Sequence, residues 1–396
     1  MKQSFRHFIF LFFCVTLLLG SCVFAQQTNL CVGAYYSEEE GARKLNQVLK
    51  SIHSLRDWQA HADSVRRQIR IGMQMERFPA KTPLNPKYRN KKILDGYSVE
   101  AVVFESLPGF YVTGNLYKPT GNFKSKSLAV IASPHGHWNK PEDYGRFRNE
   151  TQQRCAAFAK MGAIAFSYDM VGYGESQQLE HHGEKVVAFQ TWNTIRIIDF
   201  LLSFPEADPE RVAVTGESGG GTQTFLATAL DDRIKVSVPV VMVSAHFFGG
   251  CTCESGMPIH RMGNKVFSNV EIACLAAPRP MLLVSDGDDW TKNNPAVEFP
   301  FVKYIYQLYG KESLVENAHF PNEVHDYGKN KRLAVYEFLA KHLGLKIANI
   351  KDPAGKVNED FVTIVGRKDV EYFKPEELTG LIKGEQVYNV LLKSQQ

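Results

Sequence analysis

The sequence predicts an α/β fold with a mostly parallel central sheet and helices on both faces, together with a helical N-terminal extension and a C-terminal tail. Two short segments, Leu128–Ser133 and Ala163–Tyr168, are largely apolar and have the length of strands buried on both faces. Segments of helical length follow them, an alternation typical of parallel sheets. Hydrophobic residues form 44% of the chain and charged residues 22%, which suits a globular protein with a large core.

Two further strands are predicted ahead of this alternating region. Residues 97–105 alternate apolar and polar side chains, and a Pro108-Gly109 turn separates them from a second strand at 110–117. Before these strands, 37–75 has apolar residues at helical intervals and predicts two helices. The alternating region contains the other predicted strands, at 212–215, 234–243, 280–284 and 313–320, and helices at 149–161, 186–204, 222–229, 295–308 and 330–343.

The first 25 residues have the features of a secretory signal. Two positive charges precede an apolar run at 8–19, which is shorter than a membrane span. Leu19-Gly20-Ser21-Cys22 is similar to the lipobox of bacterial lipoproteins, in which Cys22 carries the lipid; the alternative is cleavage after Ala25. We therefore expect an exported protein of the bacterial cell envelope, which is periplasmic, anchored as a lipoprotein, or secreted.

Charge and hydropathy exclude several classes of protein. The formal net charge is only +4, from 46 basic and 42 acidic residues, and this argues against a nucleic-acid partner. No apolar run after residue 25 approaches the roughly 18 to 20 residues that a transmembrane helix needs. The five cysteines after that point are an odd number, so we expect buried thiols or one local disulfide; Cys251-Thr252-Cys253 has no second pair at a zinc-ligand spacing.

The most informative motif is Gly216-Glu217-Ser218-Gly219-Gly220, which lies between a predicted strand and a predicted helix. In this context a G-x-S-x-G motif forms a sharp turn that exposes the serine hydroxyl at the helix N-terminus. Backbone N–H groups there favour developing negative charge. The motif therefore predicts that Ser218 is a catalytic nucleophile; the alternative is a glycine-rich turn without chemistry.

A serine nucleophile needs a histidine base and an acid that orients it. His325 lies in a polar loop before the last long helix and is the predicted base, whereas His319 lies within a strand-like segment and is expected to be structural. Three carboxylates follow the strand that ends near residue 284. Asp289 is the predicted acid, with Asp288 second; the remaining carboxylate, Asp286, is expected to be solvated or to cap a helix.

An oxyanion hole requires backbone donors near the nucleophile. The amide of Gly219 is one candidate. The other comes from the loop after Leu128–Ser133, where Gly136 lets the chain turn inward and present the amide of His137. The alternative for this loop is a metal site formed by His135 and His137, but no acidic ligand accompanies them, so no metal is predicted.

These residues resemble the α/β-hydrolase superfamily, and within it the acetyl-xylan-esterase and dienelactone-hydrolase-like branch found in carbohydrate-degrading bacteria. The resemblance spans about 97–343 and implies a Ser–Asp–His triad, no cofactor, and ester hydrolysis through an acyl-enzyme. The chain has serine where dienelactone hydrolases have cysteine. It also lacks the G-C-S-R-x-G pattern of glucuronoyl methylesterases, which counts against that subgroup. The motifs that carry the likeness are His135-Gly136, Asp169-x-x-Gly172-x-Gly174-x-Ser176, Arg211, Gly216-x-Ser218-x-Gly220, Asp289-Trp290-Thr291 and His325.

On this interpretation the chain has four parts. Residues 1–25 are a signal peptide, 26–96 a helical extension and linker, and 97–344 the α/β-hydrolase catalytic domain. Residues 345–396 form a charged tail to which the sequence assigns no role.

The leading functional hypothesis is a secreted serine ester hydrolase that deacylates carbohydrate, such as acetylated xylan or oligosaccharides. Trp138 and Trp290 flank the predicted catalytic loops, and indole rings suit stacking on sugars; the alternative is that they pack in the core. Two other hypotheses are open: a prolyl-oligopeptidase-type peptidase, and a non-catalytic envelope binding protein on a hydrolase scaffold. Fewer than 100 residues precede the core, which argues against a propeller domain, and the intact Ser218 and His325 argue against a dead scaffold.

Overall fold

The structure is a computed structural model, and it describes residues 30–137 and 144–396. The predicted signal peptide, the lipobox at Cys22 and Trp138 lie outside the described residues. Within the described ranges, no helix is long and apolar enough to cross a membrane.

The strands of the described chain are numbered here in chain order. They are β1 Lys87–Ile93, β2 Tyr97–Leu107, β3 Phe110–Pro119, β4 Leu128–Ser133, β5 Ala163–Tyr168, β6 Ala207–Glu217, β7 Val236–Val240, β8 Arg261–Met262, β9 Lys265–Val266, β10 Met281–Asp286 and β11 Val315–Phe320.

The α-helices are numbered in the same way. They are α1 Glu38–Leu49, α2 Leu55–Gly72, α3 Asn149–Lys160, α4 Val186–Leu202, α5 Gly219–Leu230, α6 Thr252–Ser255, α7 Asn269–Ala273, α8 Glu298–Leu308, α9 Lys329–Leu343, α10 Pro375–Thr379 and α11 Glu385–Ser394.

Nine strands form one sheet in the order β1-β2-β3-β5-β4-β6-β7-β10-β11. From β5 to β11 every neighbouring pair is parallel, because each connection is long enough to cross back over the sheet. The pairs β1–β2, β2–β3 and β3–β5 are antiparallel. Short turns at residues 94–96 and at Pro108-Gly109 return the chain directly in the first two pairs. The predicted α/β fold with a mostly parallel sheet is confirmed.

Both faces of the sheet are covered, as the alternation along β10 shows. Met281 and Leu283 belong to a buried cluster that contains side chains of α4, α5 and α8. Leu282 and Val284 point the other way, into a cluster with side chains of α3 and α9. This two-residue period explains why strands of a doubly covered sheet are almost continuously apolar in sequence.

Of the N-terminal helices, α1 packs against α8, and α2 packs against both α7 and α8. Serine side chains cap both helices, Ser37 at α1 and Ser54 at α2. His61 of α2 lies 2.8 Å (Nε2 to Oε1) from the buried carboxylate of Glu271 in α7.

Two strands of the sheet show clear differences from the sequence prediction. Strand β1 occupies part of the expected linker, where it pairs with β2. The strand predicted at 234–243 ends at Val240, because Val241 has a φ of 46° that an extended strand does not allow. After it, the chain forms an insertion at 244–278 that contains α6, α7 and the small β8–β9 hairpin.

The tail packs into the fold rather than extending from it. Side chains of Asn115 and Arg146 donate to the carbonyl of Val370, and the amide of Tyr372 donates to Glu175. Arg146 is completely buried and ion-paired. The tail therefore satisfies polar groups at the antiparallel end of the sheet, a role that its charged sequence did not suggest.

Candidate active site

Ser218 lies at a strained turn between β6 and α5. Its backbone has a φ of 55° and a ψ of −121°, outside the common regions for a residue with a side chain. A Cβ at Gly216 would overlap the carbonyl of Pro134, and one at Gly220 would lie 2.8 Å from the amide nitrogen of His135. The turn therefore needs glycine at both positions, because the loop after β4 passes directly against it.

The parallel strands bring Ser218 to the same sheet edge as the predicted acid and base. Strands β6, β7, β10 and β11 are consecutive neighbours, so the loops that follow them leave at one edge. The amide of Ser218 donates to the carbonyl of Val240 (3.0 Å), and the amide of Val241 donates to that of Val284 (2.8 Å). These hydrogen bonds connect the serine turn across β7 to β10, whose following loop carries Asp289.

Asp289 and His325 form a direct pair at this edge. The Nδ1 atom of His325 lies 2.5 Å from Asp289 Oδ2. The other carboxylate oxygen, Oδ1, accepts from the Thr291 amide (2.6 Å) and the Thr291 hydroxyl (2.5 Å). The carboxylate is almost fully buried, whereas 25% of the His325 side chain is exposed. Both oxygens of Asp289 are thus held in place, one by its own turn and one by the imidazole.

The other candidate groups lie elsewhere. Asp286 is completely buried beside Lys331 (3.1 Å, Oδ2 to Nζ), and burial followed by the nearby Asp289 charge raises the pKa of its carboxyl. Asp288 is exposed. His319 lies within β11, where its Nδ1 is 2.9 Å from the hydroxyl of Ser285. The structure brings only Asp289 of the three carboxylates into contact with His325.

Lys331 is a residue of this site that the sequence analysis missed. Its completely buried ammonium donates to the carbonyl of Val324 (2.5 Å) and to Asp326 (2.8 Å), as well as pairing with Asp286. These partners lie on either side of His325 and at the end of β10. One buried cation therefore joins the loop of the predicted base to the strand that precedes the predicted acid. No local sequence pattern marks this lysine.

A buried ion pair lies beneath the serine turn. Glu217, the residue before Ser218, is 3.0 Å (Oε2 to Nη2) from Arg154 of α3. The guanidinium also donates to Ser133 at the end of β4 (3.0 Å) and lies over the ring of Tyr327 at 4.6 Å. Glu217 is inside the predicted motif, but its partner is 63 residues earlier in the chain, so this pair was not foreseen.

The predicted oxyanion loop lies against the serine turn. A Cβ at Gly136 would come within 2.9 Å of Ser218 Cβ, and any side chain at Gly219 would overlap the ring of His137. Gly219 begins α5, so its amide is one of the helix N-terminal groups without an intrahelical acceptor. The loop and the turn are therefore adjacent, and the role of the Gly219 and His137 amides remains a prediction.

The two histidines of this loop, His135 and His137, contact different partners. His135 is buried beside Tyr144, and its Nδ1 bonds to the carbonyl of Gly136. His137 instead meets His181 and Cys253, with ligand atoms all within 4.8 Å of one another. Burial, followed by the proximity of His181, lowers the pKa of His137 to about 3.

The cysteines at positions 31, 155, 251, 253 and 274 are free thiols.

Trp290 lies between two other rings. Its indole stacks on Phe247 at 3.8 Å between ring centroids and lies 4.7 Å from the imidazole of His325. Trp290 therefore packs beside the predicted base, and sugar stacking by this residue stays a prediction.

The sheet order, the strained serine turn and the acid–histidine pair at the carboxyl edge define an α/β-hydrolase fold. Comparison with solved structures agrees. The chain is 35% identical to a structure described as Methylesterase BT1017, with a TM-score of 0.81 over 91% of this chain and 81% of that one. The chain therefore belongs to the same family of α/β-hydrolase-fold esterases, and the resemblance inferred from its motifs is confirmed at the level of the superfamily.

Two further comparisons point to related proteins. A family model described as glucuronyl esterase of fungi matches residues 162–253, which include the serine turn. The 4-O-methyl-glucuronoyl methylesterase 1 of Sodiomyces alcalophilus is 33% identical over 135 residues, or 33% of this chain and 24% of that protein. The match thus spans only a quarter of that relative. It occurs although the G-C-S-R-x-G pattern is absent, so this absence does not separate the chain from these esterases.

A more distant structure shares the fold alone. The glucuronoyl esterase from Solibacter usitatus is 15% identical, with a TM-score of 0.52 over 72% of this chain and 94% of that one.

Proposed function

We propose that this protein is a serine ester hydrolase that acts on esterified carbohydrate through an acyl-enzyme. The observation that carries the proposal is the 2.5 Å contact between Asp289 and His325, at the sheet edge that also carries the strained Ser218 turn. Asp289 accepts a hydrogen bond from the Nδ1–H of His325, which leaves Nε2 as the acceptor for a serine proton.

In the first half-reaction, Ser218 Oγ forms a bond to the carbonyl carbon of the ester and gives its proton to His325. The resulting tetrahedral oxyanion is stabilised by the amides of Gly219 and His137. The C–O bond to the alcohol then breaks, and His325 returns the proton to the departing oxygen. In the second half-reaction, a water molecule gives a proton to His325 while the water oxygen attacks the acyl carbon. The bond between the acyl carbon and Ser218 Oγ then breaks, and His325 returns the proton to Ser218.

The substrate we favour is a methyl ester of a sugar acid, which would release methanol. This assignment follows from the 35% identity to a methylesterase over most of both chains and from the partial match to a glucuronoyl methylesterase. The sequence motifs alone favoured acetylated carbohydrate instead. In a methyl ester of a sugar acid, the sugar lies on the acyl side of the ester. In acetylated carbohydrate, the sugar is the alcohol that leaves.

We further propose that the protein is exported, because residues 1–25 carry a signal-like apolar run. Lipid attachment at Cys22 is tested by metabolic labelling with a fatty acid. A Cys22→Ser variant should lose the label if the lipobox is used.

A direct test combines covalent labelling with a substrate panel. A fluorophosphonate should attach to Ser218, as located by peptide mass spectrometry, and labelling should abolish release of methanol from methyl-esterified oligouronides. Acetate release from acetylated xylan without methanol release would support the acetyl hypothesis. Cleavage of a proline-containing peptide would support a peptidase, and absence of labelling in the folded protein would contradict the serine mechanism.

A further inference from the structure

We propose that His137, His181 and Cys253 form a binding site for a zinc-class metal ion next to the serine turn. The three residues come from the loop after β4, the connection between β5 and α4, and helix α6 of the insertion. Their ligand atoms all lie within 4.8 Å of one another. Residues from three separate segments thus converge on one point.

The donor types and spacing suit a tetrahedral ion. Zinc binds imidazole nitrogen at about 2.0 Å and thiolate sulfur at about 2.3 Å, so two such ligands lie about 3.5 Å apart. The Nε2 atom of His137 is 3.2 Å from Cys253 Sγ, and the rings of His137 and His181 have centroids 4.4 Å apart. A mixed nitrogen and sulfur set selects zinc over magnesium or calcium, which prefer oxygen.

The second nitrogen of His181 supplies an independent argument. Its Nδ1 lies 2.7 Å from the carbonyl of Val171, so Nδ1 carries the proton and Nε2 presents a lone pair to the cluster. Metal-binding histidines commonly donate their other N–H to a backbone carbonyl, which fixes the tautomer and the ring orientation. Cys253 is completely buried and His181 nearly so, and the cluster is therefore held within the fold.

Two other arrangements of the same groups compete with a metal ion. Cys251 Sγ lies 3.1 Å from His181 Nε2, so each thiol could simply hydrogen-bond to one imidazole. Cys251 and Cys253 could also form a disulfide under oxidising conditions. The proposed site differs from both because it requires His137, His181 and Cys253 together.

The consequence concerns the loop of His137. Its ring packs on Gly219, so an ion bound to this imidazole would fasten the loop after β4 to the insertion. Metal binding does not depend on the esterase proposal, and Ser218→Ala should therefore bind the ion as the native chain does.

The experiment is a titration of the reduced, chelator-stripped full chain with Co²⁺, followed by Zn²⁺. We expect one Co²⁺ per chain, a thiolate-to-cobalt charge-transfer band, loss of that band when Zn²⁺ is added, and a higher melting temperature with zinc. Cys253→Ser should lose the band. Both Cys253→Ser and His181→Asn should weaken binding more than about 100-fold, beyond the usual effect of losing an outer partner of a metal ligand.

The control is Cys274→Ser, which removes another buried thiol and should bind Co²⁺ normally. Because Cys253→Ser and His181→Asn lie in different segments, the test still works if one of the two variants fails to fold. Absence of Co²⁺ binding, a charge-transfer band that survives Cys253→Ser, or a Cys251–Cys253 disulfide in the freshly isolated native protein would each overturn the proposal.

Discussion

Two polar clusters lie at the carboxyl edge of the sheet, and they are built in opposite ways. In the acid–base cluster, Asp289 and His325 follow the adjacent strands β10 and β11 and are 36 residues apart. In the cluster of His137, His181 and Cys253, the contact between His137 and Cys253 spans 116 residues. The first uses neighbouring strands of the sheet, and the second needs an insertion to fold back over it.

Their chemistry differs as well. In the acid–base cluster the donors and acceptors around Asp289 are matched, since both of its oxygens accept hydrogen bonds, and Lys331 pairs with the nearby Asp286. In the other cluster, imidazole nitrogens and a thiol sulfur converge without any carboxylate among the three. Paired hydrogen-bond donors and acceptors, as in the acid–base cluster, suit proton transfer. Lone pairs that converge on one point, as in the other cluster, suit the binding of a cation.

Removing the nucleophile should have the largest effect. Ser218→Ala should lower esterase kcat by on the order of 10⁴ or more, because the members of a triad act as a unit. Steady-state kinetics with a methyl or acetyl ester checks this, and circular dichroism confirms folding. A folded variant that keeps most of its activity would show that the acid–base cluster serves another purpose.

The second test separates the carboxylates of the turn after β10. Asp289→Asn should lower kcat by on the order of 10³ or more, because an amide cannot hold and stabilise the imidazolium as the carboxylate does. Asp288→Asn is the matched control in the same turn, and we expect less than about a tenfold loss because its side chain is exposed. Equal losses in the two variants would refute the assignment of the acid.

Lys331→Met tests how the acid–base cluster is supported. This change leaves Asp286 and the Val324 carbonyl without their cation, and breaking a buried ion pair costs about 3 to 5 kcal/mol. Urea unfolding of the variant at pH 7 measures the loss. Lys329→Met, at an exposed position of the same helix, should change the free energy of unfolding by less than about 0.5 kcal/mol. Similar values for the two variants would contradict the support role.

The smallest expected effect is a pH-dependent change in the free energy of unfolding, and it involves Glu298, which contacts the start of the insertion. Glu298 accepts from the Ala245 amide (2.9 Å), and burial raises the pKa of its carboxyl to about 7. The folded state therefore retains a proton that the unfolded state releases near pH 4.5. The stabilisation by this proton is complete below about pH 4.5. As the pH rises to about 7, the free energy of unfolding falls by up to about 3 kcal/mol.

Glu298→Gln removes this titration. Its free energy of unfolding, relative to the native protein, should therefore rise between pH 4.5 and pH 7.5. Urea unfolding at several pH values measures the difference, with Glu312→Gln at an exposed position as the control. A difference independent of pH would show that Glu298 does not titrate in this range.

Local patterns determined much of this molecule. Strands β4 and β5 have the predicted bounds, because strands buried on both faces are apolar throughout and end where polarity returns. The serine turn was equally predictable, since its strained backbone and close contact with the loop after β4 require glycine at fixed positions. The apolar strands and the G-x-S-x-G motif can be read from residues that are neighbours in the chain, although the loop that presses on the motif comes from a distant segment.

Tertiary structure alone decided the partners that come from distant segments. The sequence favoured Asp289 among three carboxylates after β10, but only the folded turn shows that Asp289 contacts His325 while Asp286 pairs with Lys331. In the same way, His137 was paired in sequence with His135, but the fold turns it towards Cys253. Side-chain direction and long-range packing set these contacts, and neither leaves a periodic pattern in the chain.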